Sequence, residues 1–275
     1  MRTTILIDAN TMNLEQLKVE ISNAQQRPLS GGITSNNMTI FDNGNGQLTL
    51  SGDITITIKV LDLTSTGVYT LNSFMNFTQQ TIANKLKGNI FVGGFGFYKY
   101  DSNRKKFTNK PCTYTIRYNF NYIVKLTQIT MLSQLSGNDF VLAVVDDIRS
   151  SFTDKYGKSR KVSGLTNGAG GPAIVSYNDW AKYPYLAVHE FFHTLSLGDI
   201  EDNSQKQKLM YHLGGNTGSS VSNQELIDVN RYIMSDISNV ARGRYTNPGL
   251  NTVNRLRTFL NSSSNGFIFN KAKFR

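Results

Sequence analysis

The chain has 275 residues, 39 % of them hydrophobic and with Phe and Tyr plentiful, which suits one large domain, or a medium one with extensions, and argues against wholesale disorder. Its single cysteine, Cys112, excludes an internal disulfide framework, and no stretch reaches the roughly 18 apolar residues that a membrane span needs. The net charge of +10 fits either a solubilising surface or attraction to an anionic surface, acidic substrate or nucleic acid, although the densest basic runs, Arg104-Lys105-Lys106 and Lys155 to Lys161, sit in no recognisable nucleic-acid module.

Residues 3–8 read as a short strand and 13–22 as a helix. Residues 28–52 are rich in Gly, Asn, Ser and Thr, with hairpin punctuation at Asp42-Asn43-Gly44-Asn45-Gly46. Residues 53–63 alternate as a strand should, with Ile54, Ile56, Ile58 and Val60 on one face. A boundary is expected after residue 52, with 1–52 forming an N-terminal extension or small β-rich region and 53–275 the main domain. An amphipathic helix is expected over 71–87, capped by Asn72 or Ser73. Residues 90–100 are aromatic and glycine-broken. No Walker lysine-serine pair follows them, so they predict a bulged strand or edge loop rather than a phosphate loop.

Residues 113–124 carry a strand pattern. Residues 139–146 form a continuous apolar run, the mark of a strand buried on both faces. A short strand over 172–177 follows the glycine-rich Gly168-Ala169-Gly170-Gly171. Helices are expected over about 183–197, over 223–240 with a capping box from Ser222 to Glu225, and over 250–260. This order predicts an α/β arrangement, a twisted sheet with helices packed on it.

Two of the three histidines lie in His189-Glu190-Phe191-Phe192-His193. Residues four apart share a helix face, so both imidazoles can reach one cation. Glu190 is turned about 100° from His189, which puts it beside such a cation, where it can take a proton from water. A catalytic zinc usually has a third protein ligand, and three residues are candidates. Asp199 lies just past Gly198, a residue able to end the helix and turn the chain back. Glu225 sits on the next helix but already serves the capping box. His212 is the remaining histidine.

The run from His189 to Asp199 resembles the metzincin motif HExxHxxGxxH/D, and Leu209-Met210-Tyr211 is similar to the methionine turn beneath the metal in that clan. Val221 to Ile227 resembles the start of the last helix in matrix-metalloproteinase-like members. Ser196 departs from the motif's glycine. Asp199 departs from its usual histidine, as in snapalysin-type enzymes. The resemblance covers about residues 53–240 and is motif-grade over about 185–235. It implies a metzincin-like zincin fold with a twisted mixed sheet, and zinc held by His189, His193 and Asp199. It also implies Met210 below the metal and an oxyanion donor in Tyr211 or His212. Ala173, Ile174 and Val175 would form a substrate-binding edge strand, by the same resemblance. A gluzincin pattern with Glu225 or Asp228 is the alternative, with poorer spacing. Cys112 lacks the propeptide context of a zinc-blocking cysteine and reads as an ordinary buried residue.

The function expected is zinc-dependent endopeptidase activity on protein or peptide substrates. A secreted toxin or delivered effector fits the basic charge and the start of the chain, which shows no cleavable signal peptide; a cytoplasmic enzyme is the other setting. A degenerate zincin scaffold that binds protein or an anionic surface without catalysis is the rival, and the intact Glu190 argues against it.

Overall fold

The computed structural model describes residues 32–44, 47–65, 71–87, 90–97, 100–101, 106–107, 112–136, 139–168, 170–195, 197, 200–202, 207–209, 252–261 and 265–271. The elements expected at 3–8, 13–22 and 223–240 lie outside these residues. In chain order come β1 (Ile33–Gly44), β2 (Gln47–Asp62), α1 (Asn72–Leu86), β3 (Ile90–Phe97), β4 (Tyr100–Asp101), β5 (Lys106–Phe107) and β6 (Cys112–Ile129). Then follow β7 (Phe140–Val145), β8 (Asp147–Thr153), β9 (Ser159–Val162), β10 (Gly164–Thr166), β11 (Ala173–Ser176), α2 (Tyr177–Lys182) and α3 (Leu186–Thr194). β12 (Ile200–Asp202), β13 (Gln207–Leu209), α4 (Thr252–Asn261) and β14 (Phe267–Asn270) complete the described chain.

The fold is mixed α/β. A mixed sheet has the order β10-β11-β7-β2-β6-β3, and β1 pairs with β2 off that path. β2, β6, β7 and β11 run parallel; β1, β3 and β10 are antiparallel to their neighbours. A second sheet, β14-β8-β9, stands beside it.

β2 organises the main sheet. Leu48, Leu50, Ile54, Ile56, Ile58 and Val60 keep one inward phase along its length and are all buried. The boundary expected after residue 52 falls inside this unbroken strand, so β1 and the first part of β2 belong to the main sheet. Their polar composition suggested a separate extension, but Leu48 and Leu50 continue the alternation of Ile54–Val60. The punctuation at Asp42–Gly46 does mark a hairpin, with Gly44 at φ +77 where β1 turns into β2. β1 and β7 occupy successive stretches of one side of β2: Ile33 faces Ile56, and Phe140 faces Ile58. At the handover Gly32 has φ +73, and a Cβ there would lie 2.6 Å from the Thr57 carbonyl oxygen, so glycine is required.

The sheet separates two cores. Phe140, Leu142 and Val144 of β7, with Ala173 and Val175 of β11, join α1 and α3 on one face. Val141, Ala143, Val145 and Ile174 join Leu256 and Leu260 of α4 on the other. This two-sided burial is why β7 reads as an uninterrupted apolar run. β3 is an edge strand with a register irregularity between Val92 and Phe95, as the glycines in that segment predict.

Two helix expectations need correction. α1 has Leu71 at its N-cap with no side-chain hydrogen bond, so neither Asn72 nor Ser73 caps it. The helix expected over 183–197 is shorter, running from Leu186 to Thr194 as α3, and a separate helix, α2, ends just before it at Lys182. Pro184 disfavours helical backbone at Tyr183, which is found at φ −125, ψ 84. Leu186 restarts the hydrogen bonding by donating to the Tyr183 carbonyl at 2.9 Å.

Candidate metal centre

α3 is buried almost all round. Leu186, Ala187, Val188, Phe191 and Phe192 pack into the core, and Phe191 meets Phe140 edge-on with ring centroids 5.2 Å apart. The helix is therefore held rigidly against the sheet. Three of its polar residues, His189, Glu190 and Thr194, are buried with it. Burying polar groups is costly unless they are bonded, and the surrounding chain supplies specific contacts to both His193 and Glu190.

His193 Nδ1 lies 2.7 Å from the Leu197 carbonyl oxygen. A carbonyl only accepts, so in the neutral ring Nδ1 carries the proton and Nε2 keeps its lone pair. This outer contact is the kind that orients metal-binding imidazoles and fixes their tautomer. Facing it, His189 Nε2 lies 3.0 Å from His193 Nε2, with the two rings at 84°. A proton on His189 Nε2 would make this a hydrogen bond between the rings. A cation in place of that proton would be held by both. Two nitrogens about 2.0–2.1 Å from a tetrahedral zinc stand about 3.3 Å apart, so a small outward adjustment of the rings accommodates the ion. The two imidazoles thus have the chemistry and the spacing of two zinc ligands.

Glu190 points to β10. Thr166 Oγ1 lies 2.8 Å from Glu190 Oε2 and 2.7 Å from the Glu190 carbonyl oxygen. A hydroxyl has one proton and two lone pairs. Thr166 can donate to an ionised Glu190, or donate to the carbonyl while accepting from the protonated acid. It therefore has a bonding arrangement for either form. Gly164 makes room for the carboxyl: a Cβ at that position would lie 2.6 Å from Glu190 Oε1 and 2.8 Å from its Cγ. β10, at the end of the sheet order, thus lies directly over the acid.

The far end of α3 is fixed from another direction. The Gly170 N–H donates to the Thr194 carbonyl oxygen at 2.8 Å, closing one of the helix's terminal acceptors. Arg255 of α4 holds the same loop, with Nη2 2.8 Å from the Asn167 carbonyl oxygen and Nη1 3.1 Å from that of Gly170.

The structure thus brings His189 and His193 together and sets Glu190 against β10. Asp199, Met210, Tyr211, His212, Glu225 and Asp228 lie outside the described residues. Among the described residues, no group of three or more His, Cys, Asp or Glu gathers in a metal-binding arrangement. The substrate strand is reassigned. Ala173, Ile174 and Val175 are fully buried, and β11 pairs with β7 on one side and β10 on the other, so it offers no open edge. Its position just before α3 suggested an edge, but the preceding β10 folds back and takes that place.

Thr166, Gly164 and Arg255 were not singled out in the sequence. Thr166 and Gly164 sit 24 and 26 positions before Glu190, and only the hairpin from β10 to β11 brings them there. The one available signal was the glycine-rich segment 168–171, which marks that hairpin. Comparison with family models, characterised proteins and solved structures finds no match to this chain.

Proposed function

We infer that the protein is a zinc-dependent endopeptidase whose metal is held by His189 and His193, with Glu190 as general base. The observation that carries this reading is the convergence of the two Nε2 atoms to 3.0 Å, with His193 Nδ1 anchored on a carbonyl. Asp199 is the proposed third ligand, by the resemblance of the His189–Asp199 run to the metzincin motif. Met210 below the metal and Tyr211 or His212 as oxyanion donor belong to the same proposal. The metzincin-like identity of the fold is also part of it. The edge strand that the resemblance led us to expect at β11 is proposed instead at β10.

Zinc in such a site supplies Lewis acidity, acidifying water and polarising a carbonyl. The chain's own groups do the rest. Glu190 accepts the proton of the attacking water and passes it to the leaving amine. Thr166 holds the carboxyl in place through both states. β10 ends the sheet among the described residues, and its outer side can align an extended peptide by backbone hydrogen bonds, beside Glu190. The dry surroundings strengthen each of these interactions relative to water.

Glu190→Gln tests the reading. The amide keeps the size and can still bond to Thr166, but it removes the base. General acid–base assistance is worth about 10²–10⁴ in rate. The variant should fold, keep zinc and lose peptidase activity by that order. In the effector setting it should also be harmless to a target cell. Full hydrolytic activity in Glu190→Gln would refute the assigned base. A non-catalytic scaffold would show no hydrolysis in the wild type either.

A further inference from the structure

β8 and β9 form a hairpin whose end stands clear of the core, with every residue from Ser151 to Lys158 exposed. The turn is well bonded. Asp154 Oδ1 accepts the N–H groups of Tyr156 at 2.8 Å and Lys158 at 2.9 Å, and Gly157 takes φ +76. This ordered tip holds two aromatic rings in solvent: Phe152 is 76 % exposed and Tyr156 74 %, the highest values for large hydrophobic side chains among the described residues. Around them stand Lys155, Lys158, Arg160 and Lys161. Lys155 Nζ sits 4.9 Å over the Tyr156 ring, and Lys161 pairs with Asp179 at 3.0 Å. The one acid in the segment, Asp154, uses Oδ1 to brace the turn.

We propose that this hairpin is a docking element for an anionic lipid surface. Aromatic rings and cations side by side match the headgroup region of a bilayer, where the ring enters the boundary and the cation meets lipid phosphate. A duplex groove offers phosphates but little apolar volume for Phe152. Single-strand binding needs a groove that follows the backbone, and this tip projects outward. Among the described residues no helix is long and apolar enough to cross a bilayer, and the docking concerns the surface alone. Ser163 alone separates β9 from β10, so the docked hairpin leads straight into the strand over Glu190. The proposal does not depend on the peptidase reading.

Sedimentation of the full chain with vesicles tests it, using phosphatidylcholine alone or equal parts phosphatidylcholine and phosphatidylglycerol. The chain should bind the anionic vesicles, not the neutral ones, and less as salt rises. Each cation near an anionic leaflet is worth about fivefold in partition, so Lys155→Gln, Lys158→Gln and Arg160→Gln together should weaken binding about a hundredfold. Phe152→Ser with Tyr156→Ser should weaken it at unchanged charge. All these side chains are exposed, so thermal unfolding should stay at the wild-type midpoint. Neutralising Lys87, Lys125 and Arg257, which lie elsewhere, should have a much smaller effect. The proposal is overturned if anionic vesicles are not bound or if the control triple loses as much as the hairpin triple. It is equally overturned if the same hairpin residues instead govern binding to an oligonucleotide.

Discussion

A carboxyl group as buried as that of Glu190 is stable only with polar contacts, and Thr166 provides one at 2.8 Å. Thr166 acts by holding the carboxyl in place as it takes up and releases the proton, and a misplaced reacting group costs up to about a hundredfold in rate. Thr166→Val should therefore cut kcat about ten- to a hundredfold with little change in KM. Thr166→Ser, which restores the hydroxyl, should recover most of the loss, and both variants should retain zinc. A kcat unchanged in Thr166→Val would remove Thr166 from the account. At this scale the sequence showed half of the site. The His189-Glu190-His193 spacing is a local property of a helix and could be read directly. The hydroxyl of Thr166 and the missing side chain of Gly164 act across the β10–β11 hairpin, and no local pattern betrays them.

The elements around the site owe their ends to neighbours. Pro184 starts α3 afresh, and the loop from Asn167 to Gly171 closes it. That loop is held in turn by Arg255, which reaches two carbonyl oxygens from α4. Removing the guanidinium leaves both acceptors short of a partner, at a cost of about 1.5–3 kcal/mol. Arg255→Ala should lower the denaturation midpoint accordingly. Arg255→Lys should recover only part, because a compact ammonium lacks the planar fork that serves both oxygens. A midpoint unchanged in Arg255→Ala would show that the loop is held by other contacts. Some strand positions were readable from periodicity, as in Ile54–Val60 and 139–146, whereas α2 and the short strands β8 to β10 were not. Roles in the sheet were less readable. β11 lies next to α3 in the chain and was expected at the edge, but strand order depends on long-range pairing that chain order does not encode.

On the scale of the whole molecule, one mixed sheet between two apolar cores presents a rigid helix carrying His189, Glu190 and His193. The coarse α/β class follows from the alternation of strand and helix patterns. The N-terminal boundary did not follow, because the polar residues of β1 and early β2 obscure an alternation that Leu48 and Leu50 preserve. The metal proposed between the two imidazoles is tested most directly by zinc content. Elemental analysis of the full chain, purified under metal-replete conditions, should find about one zinc per chain, as a single catalytic site holds. His193→Ala should remove most of it, and Asp199→Ala should also weaken retention. A wild-type chain without stoichiometric zinc, or a His193→Ala chain that keeps it, would contradict the account.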